Sequence, residues 1–372
     1  MTVALNPSLL ATAAFLLGSL VGSFLNVCIY RLPRELSVRK PARSFCPHCQ
    51  KTIPWWQNIP LLSWLLLRGK CAACANPIPF RYFLVELLTA SLFGAFALKL
   101  SPNPLLLPPT FTLIGLLIAA TFIDLEHLII PDEITWGGAA SGLLLSALIP
   151  ALHQTDSALD SILASLLGAA TGYGTLWAVV ELGRLAFGRK RIVFPEPVAV
   201  RWIRHDEDAD LFVGEDHSPW SHFFFRGSEQ LRMDVLSGSI DQKKVQPGEA
   251  LWTLNVLHLN GQTIDLNSTN NVEFQITKIV IPREAMGFGD VKFLAAIGAF
   301  LGWKATLFTI AAACNVGLLA SIPSLLLRRA SDQIPFGPYL AAGAFLWMAD
   351  GPGLWARYLG WLAAFSQKIT GP

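Results

Sequence analysis

Residues 8–30 read SLLATAAFLLGSLVGSFLNVCIY and are followed at once by Arg31, Arg34, Arg39, Lys40 and Arg43. A helix needs about 20 apolar residues to cross a bilayer core, and this run supplies them without an internal charge. It has no basic leader and ends in a basic cluster, so it reads as a retained first helix and not as a cleaved signal. Further apolar runs lie near 83–100, 108–124, 134–151, 160–186, 291–303, 305–327 and 337–358. They predict an all-α polytopic membrane protein with about eight transmembrane helices, one of them short. The bulk numbers agree, because 53% hydrophobic residues, 15% charged residues and a mean hydropathy of +0.47 do not suit an ordinary soluble enzyme. A net charge of +2 gives no support to nucleic-acid binding.

Where the basic residues sit sets the orientation, since lysine and arginine resist translocation. The segment 31–81 carries Arg31, Arg34, Arg39, Lys40, Arg43, Lys51, Arg68, Lys70 and Arg81 against the single acid Glu35, which predicts a cytoplasmic loop. Alternating spans put Arg184, Arg189, Lys190, Arg191, Arg328 and Arg329 on that side too. Lys99, Lys304 and both termini fall on the other.

The membrane pattern stops once. Residues 188–284 gain charge, His and Asn and lose long apolar runs, so the chain divides into a first membrane part (1–187, with the loop 31–81), an inserted cytoplasmic domain (188–284) and a second membrane part (285–372). Trp252–Leu259 and Val272–Ile281 have strand chemistry. Asn260-Gly261, between Leu251–Leu259 and Gln262–Leu266, is a tight-hairpin signal because both central residues of such a turn take positive φ. A small β-sandwich or barrel is predicted.

Cys46-Pro-His-Cys49 and Cys71-Ala-Ala-Cys74 are two C-x-x-C knuckles 21 residues apart. Four thiolates so spaced can close a tetrahedral shell around zinc, and a closed shell folds the loop without serving as a hydrolytic centre. A disulfide framework is the alternative, and a reducing cytoplasm opposes it. His48, inside one knuckle, is predicted to face solvent or to lie behind the ligands. Cys28 and Cys314, in apolar runs, are predicted to be buried small hydrophobes.

Acids inside spans are functional candidates, because burying them in a bilayer is costly. Asp124 ends the third run in Phe122-Ile123-Asp124-Leu125-Glu126-His127, and Asp290 opens the sixth in Gly287-Phe288-Gly289-Asp290-Val291-Lys292. On the predicted topology both stand at cytoplasmic helix ends, although 166 residues separate them. Two neighbouring carboxylates can share one proton, the state that aspartyl peptide hydrolysis requires. Gly287 and Gly289 would let a peptide backbone approach. Asp132 reads as a helix cap, Glu126 and His127 as a solvated turn, and Glu181 as a partner of the Arg184 cluster. Glu86 falls inside a span and reads as a partner of a basic loop residue or as a ligand-binding group.

Taken together, these residues resemble the type IV prepilin peptidase family. The resemblance rests on Gly22-Ser23-Phe24-Leu25-Asn26-Val27 with Tyr30-Arg31-Leu32-Pro33, and on the knuckles around Ile53-Pro54-Trp55 and Asn58-Ile59-Pro60. It continues through Arg81-Tyr82 with Glu86, Asp124 to Pro131-Asp132, Gly287 to Lys292, and Pro335-Phe336-Gly337-Pro338-Tyr339. It implies an inner-membrane aspartyl endopeptidase, with Asp124 and Asp290 as the pair, that removes the short basic leader of type IV prepilins or type II secretion pseudopilins after Gly. It also implies N-methylation of the new terminus with S-adenosylmethionine, for which the sequence carries no Gly-rich fingerprint and no residues are named. The insertion departs from the family pattern and is a candidate contact for pilus or secretion machinery, with a spacer role as the plain alternative. Two rival readings are a peptidase with a purely structural zinc loop and a non-enzymatic membrane assembly factor whose aspartates only cap helices.

Overall fold

The computed structural model describes residues 6–41, 43–187, 189–205, 209–224, 230–282, 286–326 and 334–370. Gly188, Glu284, Ala285, Arg328 and Arg329, named above as boundaries or orienting charges, lie outside these residues. The chain forms two compact units, Met1–Trp177 with Gly287–Pro372, and Ala178–Met286.

The helices are α1 (Pro7–Arg31), α2 (Leu62–Leu66), α3 (Phe80–Lys99), α4 (Leu107–His127), α5 (Asp132–Leu148), α6 (Ala158–Phe187), α7 (Phe288–Leu326) and α8 (Gly337–Thr370). Among the described residues α1, α3, α4, α6 and α7 are long and apolar enough to cross a membrane. The 17-residue α5 is shorter. Without a hydrophobic force between helices in lipid, close packing must hold them together. Gly18 and Gly22 supply it on α1: a Cβ would lie 2.8 Å from Ala90 Cα at the first and 2.7 Å from Glu86 Cα at the second. α1 therefore seats directly on the α3 backbone. Phe93 of α3 stacks on Phe111 of α4, with centroids 4.0 Å apart.

The runs 291–303 and 305–327 are two helices, as expected, which meet within α7 at Gly302, where φ is 79°. The Ala299 carbonyl just before the break accepts from Ser165 Oγ at 2.8 Å and lies 3.2 Å from His153 Nε2. The last run is broken at Asp350, and Pro352 explains it. Proline has no N–H to give the carbonyl four residues back. That carbonyl belongs to Met348, and Lys99 Nζ, 2.6 Å away, donates to it instead.

The insertion folds as β1 (Arg189–Arg204), β2 (Ala209–Val213), β3 (Asp216–Pro219), β4 (Leu231–Ile240), β5 (Lys243–Val245), β6 (Gly248–Trp252), β7 (Val256–Leu259), β8 (Gln262–Asp265) and β9 (Asn271–Pro282). The predicted sandwich or barrel is corrected to one antiparallel sheet in the order β3-β2-β1-β9-β4-β6-β7-β8, with β5 beside β4. Trp202 on β1 and Trp252 on β6 stand three strands apart, about 14 Å on a flat sheet. Their rings are 6.4 Å apart, so the sheet curls around its own core. Val200, Leu211, Met233, Leu257 and Phe274 fill that core from five strands. The predicted strand Leu251–Leu259 is two strands, because Thr253 bonds Val256 through both its N–H (2.8 Å) and its hydroxyl (3.1 Å) and closes a turn. Asn260 and Gly261 make the expected hairpin, with φ of 51° and 78° and Leu259 paired to Gln262.

Candidate active site and metal centre

Asp124 lies in the last turn of α4, which stops where Leu128 takes φ 56° and returns its N–H to the Asp124 carbonyl. Asp290 lies in the first turn of α7. Both are buried, at 5% and 8% exposure. The linker from α4 to α5 drives Ile130 between two other segments. A Cβ on Gly289 would lie 3.4 Å from the Ile130 side chain, and one on Gly337 would lie 3.1 Å from it. This packing gathers the ends of α4, α7 and α8 around the two acids.

The surroundings of the acids differ. Gly337 donates its N–H to Asp124 Oδ2 at 2.8 Å, and a Cβ at residue 337 would sit 2.8 Å from that same oxygen. Asp290 Oδ1 is buried with no hydrogen-bond partner among the described residues. Asp124 sits at a helix C-terminus, where a negative charge opposes the dipole, so it does not cap a helix N-terminus. The Gly337 donor was invisible in the sequence as a partner, although Pro335-Phe336-Gly337-Pro338 was visible as a motif.

The neighbouring acids find partners that spacing did not predict. Asp132 follows the cap position of α5, held by Pro131, and pairs with Lys292 Nζ at 2.6 Å, so it ties α5 to α7 and does not cap. Glu126 pairs with Arg81 and is not simply a solvated turn residue. Glu181, by contrast, pairs with Arg184 at 2.6 Å, as its sequence position predicts. Among the described residues Glu86 takes no basic partner: its Oε2 accepts the Leu61 N–H at 2.7 Å and so holds that residue at φ 64°. A cleft of about 730 Å³ opens beside Ile130, lined by Glu35, Leu36, Val38, Ile129, Asp132 and Glu133 among others.

The loop between α1 and α3 is tied down by Arg31, whose guanidinium donates to the carbonyls of Ser37, Val38 and Pro41 at 3.0–3.1 Å. Its two knuckles have the same build. Cys46 and Cys71 each accept through their carbonyl from the residue after the knuckle, Gln50 and Ala75, both at φ 58°. Short bridges, Phe45 with Thr52 and Lys70 with Pro77, close the two turns. The sulfurs of Cys46, Cys49, Cys71 and Cys74 lie within 4.8 Å of one another, and Cys46 to Cys74 is 3.8 Å. Ligands about 2.3 Å from a tetrahedral zinc stand about 3.8 Å from each other, so this cluster is able to hold such an ion. The Ala73 and Cys74 N–H groups pull the Cys71 thiol down to about 6. Against the pull of the Asn76 N–H, desolvation and the other three sulfurs push Cys74 up to about 12. A cation at the centre would favour the thiolate form of all four. His48 is exposed and outside the cluster. Cys28 is half-buried, and Cys314 is exposed on α7, contrary to the burial expected for it. An apolar span can turn such a residue to lipid as readily as to protein.

Two buried acids at the ends of apolar helices and a four-thiol loop stand in the same compact unit. The model of the bacterial peptidase A24 N-terminal domain matches residues 16–100, and that of the type IV leader peptidase family matches 111–189 and 263–322. A prepilin leader peptidase/N-methyltransferase of Aeromonas hydrophila is 29% identical over 95% of both chains. One from Neisseria gonorrhoeae is 36% identical, covering 50% of this chain and 69% of its own, and one from Myxococcus xanthus is 40% identical over 50% and 54%. No solved structure matches. The chain belongs to the type IV leader peptidase family.

Proposed function

We propose that this protein is an aspartyl endopeptidase that removes the leader of type IV prepilins or type II secretion pseudopilins after Gly, with Asp124 and Asp290 as its catalytic pair. The observation that carries the reading is that two buried acids from helix ends 166 residues apart stand beside the glycines packed on Ile130, one acid with an oxygen unpartnered among the described residues. Two negative charges cannot both be kept in so dry a place, so the pair holds one proton. Asp124, which accepts the Gly337 N–H, holds the charge and takes a proton from the attacking water. Asp290 holds the proton and donates it to the scissile carbonyl. The carbon turns tetrahedral, the amine leaves with a proton, and no covalent intermediate forms.

The cleft beside Ile130 suits the leader side of the substrate, since its Glu35 and Glu133 carboxylates would meet basic residues. The basic clusters support an inner-membrane protein with this site, the four-cysteine loop and the insertion on the cytoplasmic side. Cys46, Cys49, Cys71 and Cys74 would hold a structural zinc ion that keeps the loop folded. The relatives' names support N-methylation of the new terminus with S-adenosylmethionine, a donor to which no residue is assigned. The insertion is a candidate contact for pilus or secretion machinery.

The test is leader cleavage by purified Asp124→Asn and Asp290→Asn protein. Each change is expected to slow cleavage by about a thousandfold with the fold intact. Near-normal rates from either variant refute the pair. Labelled methyl donor with mature pilin tests the second activity separately.

A further inference from the structure

The loop between α1 and α3 exposes more apolar surface than a soluble loop tolerates. Trp55 is 76% exposed, Trp56 59% and Leu66 80%. The short helix α2 has two faces. Trp64 turns inward, its ring 5.6 Å from Phe80 and 5.2 Å from Phe83, and its indole N–H reaches the Ile78 carbonyl at 3.3 Å. Leu62, Leu65 and Leu66 turn outward and are more than half exposed. Helical spacing puts these three on one side, so the asymmetry belongs to the helix itself.

Depth follows from α3. Its 20 residues span about 30 Å, the thickness of the hydrocarbon core, so its first turn stands at the headgroup boundary. α2 is locked to that turn through Phe80 and Phe83. Phe80 and Leu84, one turn apart on α3, are themselves exposed, so the open face of α2 runs on into the side of a membrane-spanning helix. Indoles favour this depth, and exposed Lys51, Arg68 and Lys70 on the same loop suit anionic headgroups.

We infer that Trp55–Leu66 lies in the headgroup layer of the bilayer, with both indoles and the leucine face of α2 in lipid, and so anchors the four-cysteine loop to the membrane surface. This rests on α3 crossing the membrane and not on the peptidase chemistry. It is tested with the full chain in phosphatidylcholine–phosphatidylglycerol vesicles. The emission lost in a Trp55→Phe/Trp56→Phe variant isolates these two indoles. That difference signal is expected to fall at least about twofold with lipid brominated near the headgroup end of its chains and to resist aqueous iodide. Quenching by iodide and not by bromolipid overturns the inference. So does protection from both, which would mean that protein covers the face. A readout on the unmodified chain is labelling by lipid with a photoreactive group high in its acyl chain. The 55–66 peptide is expected to label within about threefold of the α3 peptide, and labelling at background level overturns the inference. Both results are independent of leader cleavage.

Discussion

The four-thiol cluster and the acid pair are assembled in opposite ways. The thiols belong to one loop, and each knuckle is shaped by hydrogen bonds within six residues of itself. The acids come from helix ends far apart in the chain, where Ile130 packs against both Gly289 and Gly337. A local site can be lost without disturbing the helices, whereas a site made by packing fails when one neighbour gains an atom. The difference separates what stabilises this protein from what would make it react.

Variants can press on that contrast. The largest effect is expected from Cys46→Ser and Cys71→Ser, which should release bound metal and open the loop to protease while leaving the helices folded, since closed zinc shells carry about 10 kcal/mol or more of folding energy. Unchanged metal content would end the zinc assignment. Next comes Gly337→Ala, which puts a methyl 2.8 Å from Asp124 Oδ2. Cleavage should drop about a hundredfold with metal content unchanged, as expected when a reacting group moves by about 1 Å. Retained activity there would show that Asp124 does not depend on this neighbour. Glu86→Gln weakens a charge-assisted bond to Leu61 by about 1–2 kcal/mol, to be read as faster proteolysis of the loop. The smallest change is expected from Asp132→Asn, because Asp132 is 63% exposed and a surface pair contributes about 1 kcal/mol or less. A large loss of cleavage in that variant, with the fold intact, would move Asp132 into the reacting set.

Much of this was legible in the sequence for physical reasons. Cys-x-x-Cys spacing and Asn260-Gly261 encode their own turns, and a charged group in an apolar run announces a cost. The partners were not legible. Nothing in the spacing of Asp132 pointed to Lys292, or of Glu86 to the Leu61 N–H, since each contact crosses between elements. The apolar run 337–358 likewise hid the break at Asp350, because hydropathy counts side chains and ignores the backbone angle that Asp350 adopts. The curled sheet escaped prediction for the same reason: alternation reveals which face is buried and says nothing of whether one sheet or two will bury it.

Lys190 at the start of the inserted sheet pairs directly with Ile281 near its end. Antiparallel partners stand about 5 Å apart, so the polypeptide departs and comes back through one narrow doorway. Whatever happens beyond that doorway, in length or in sequence, leaves the spacing of its two posts unchanged. A foreign module with adjacent termini, a fluorescent protein or an affinity handle, matches that spacing and suits grafting between the two posts.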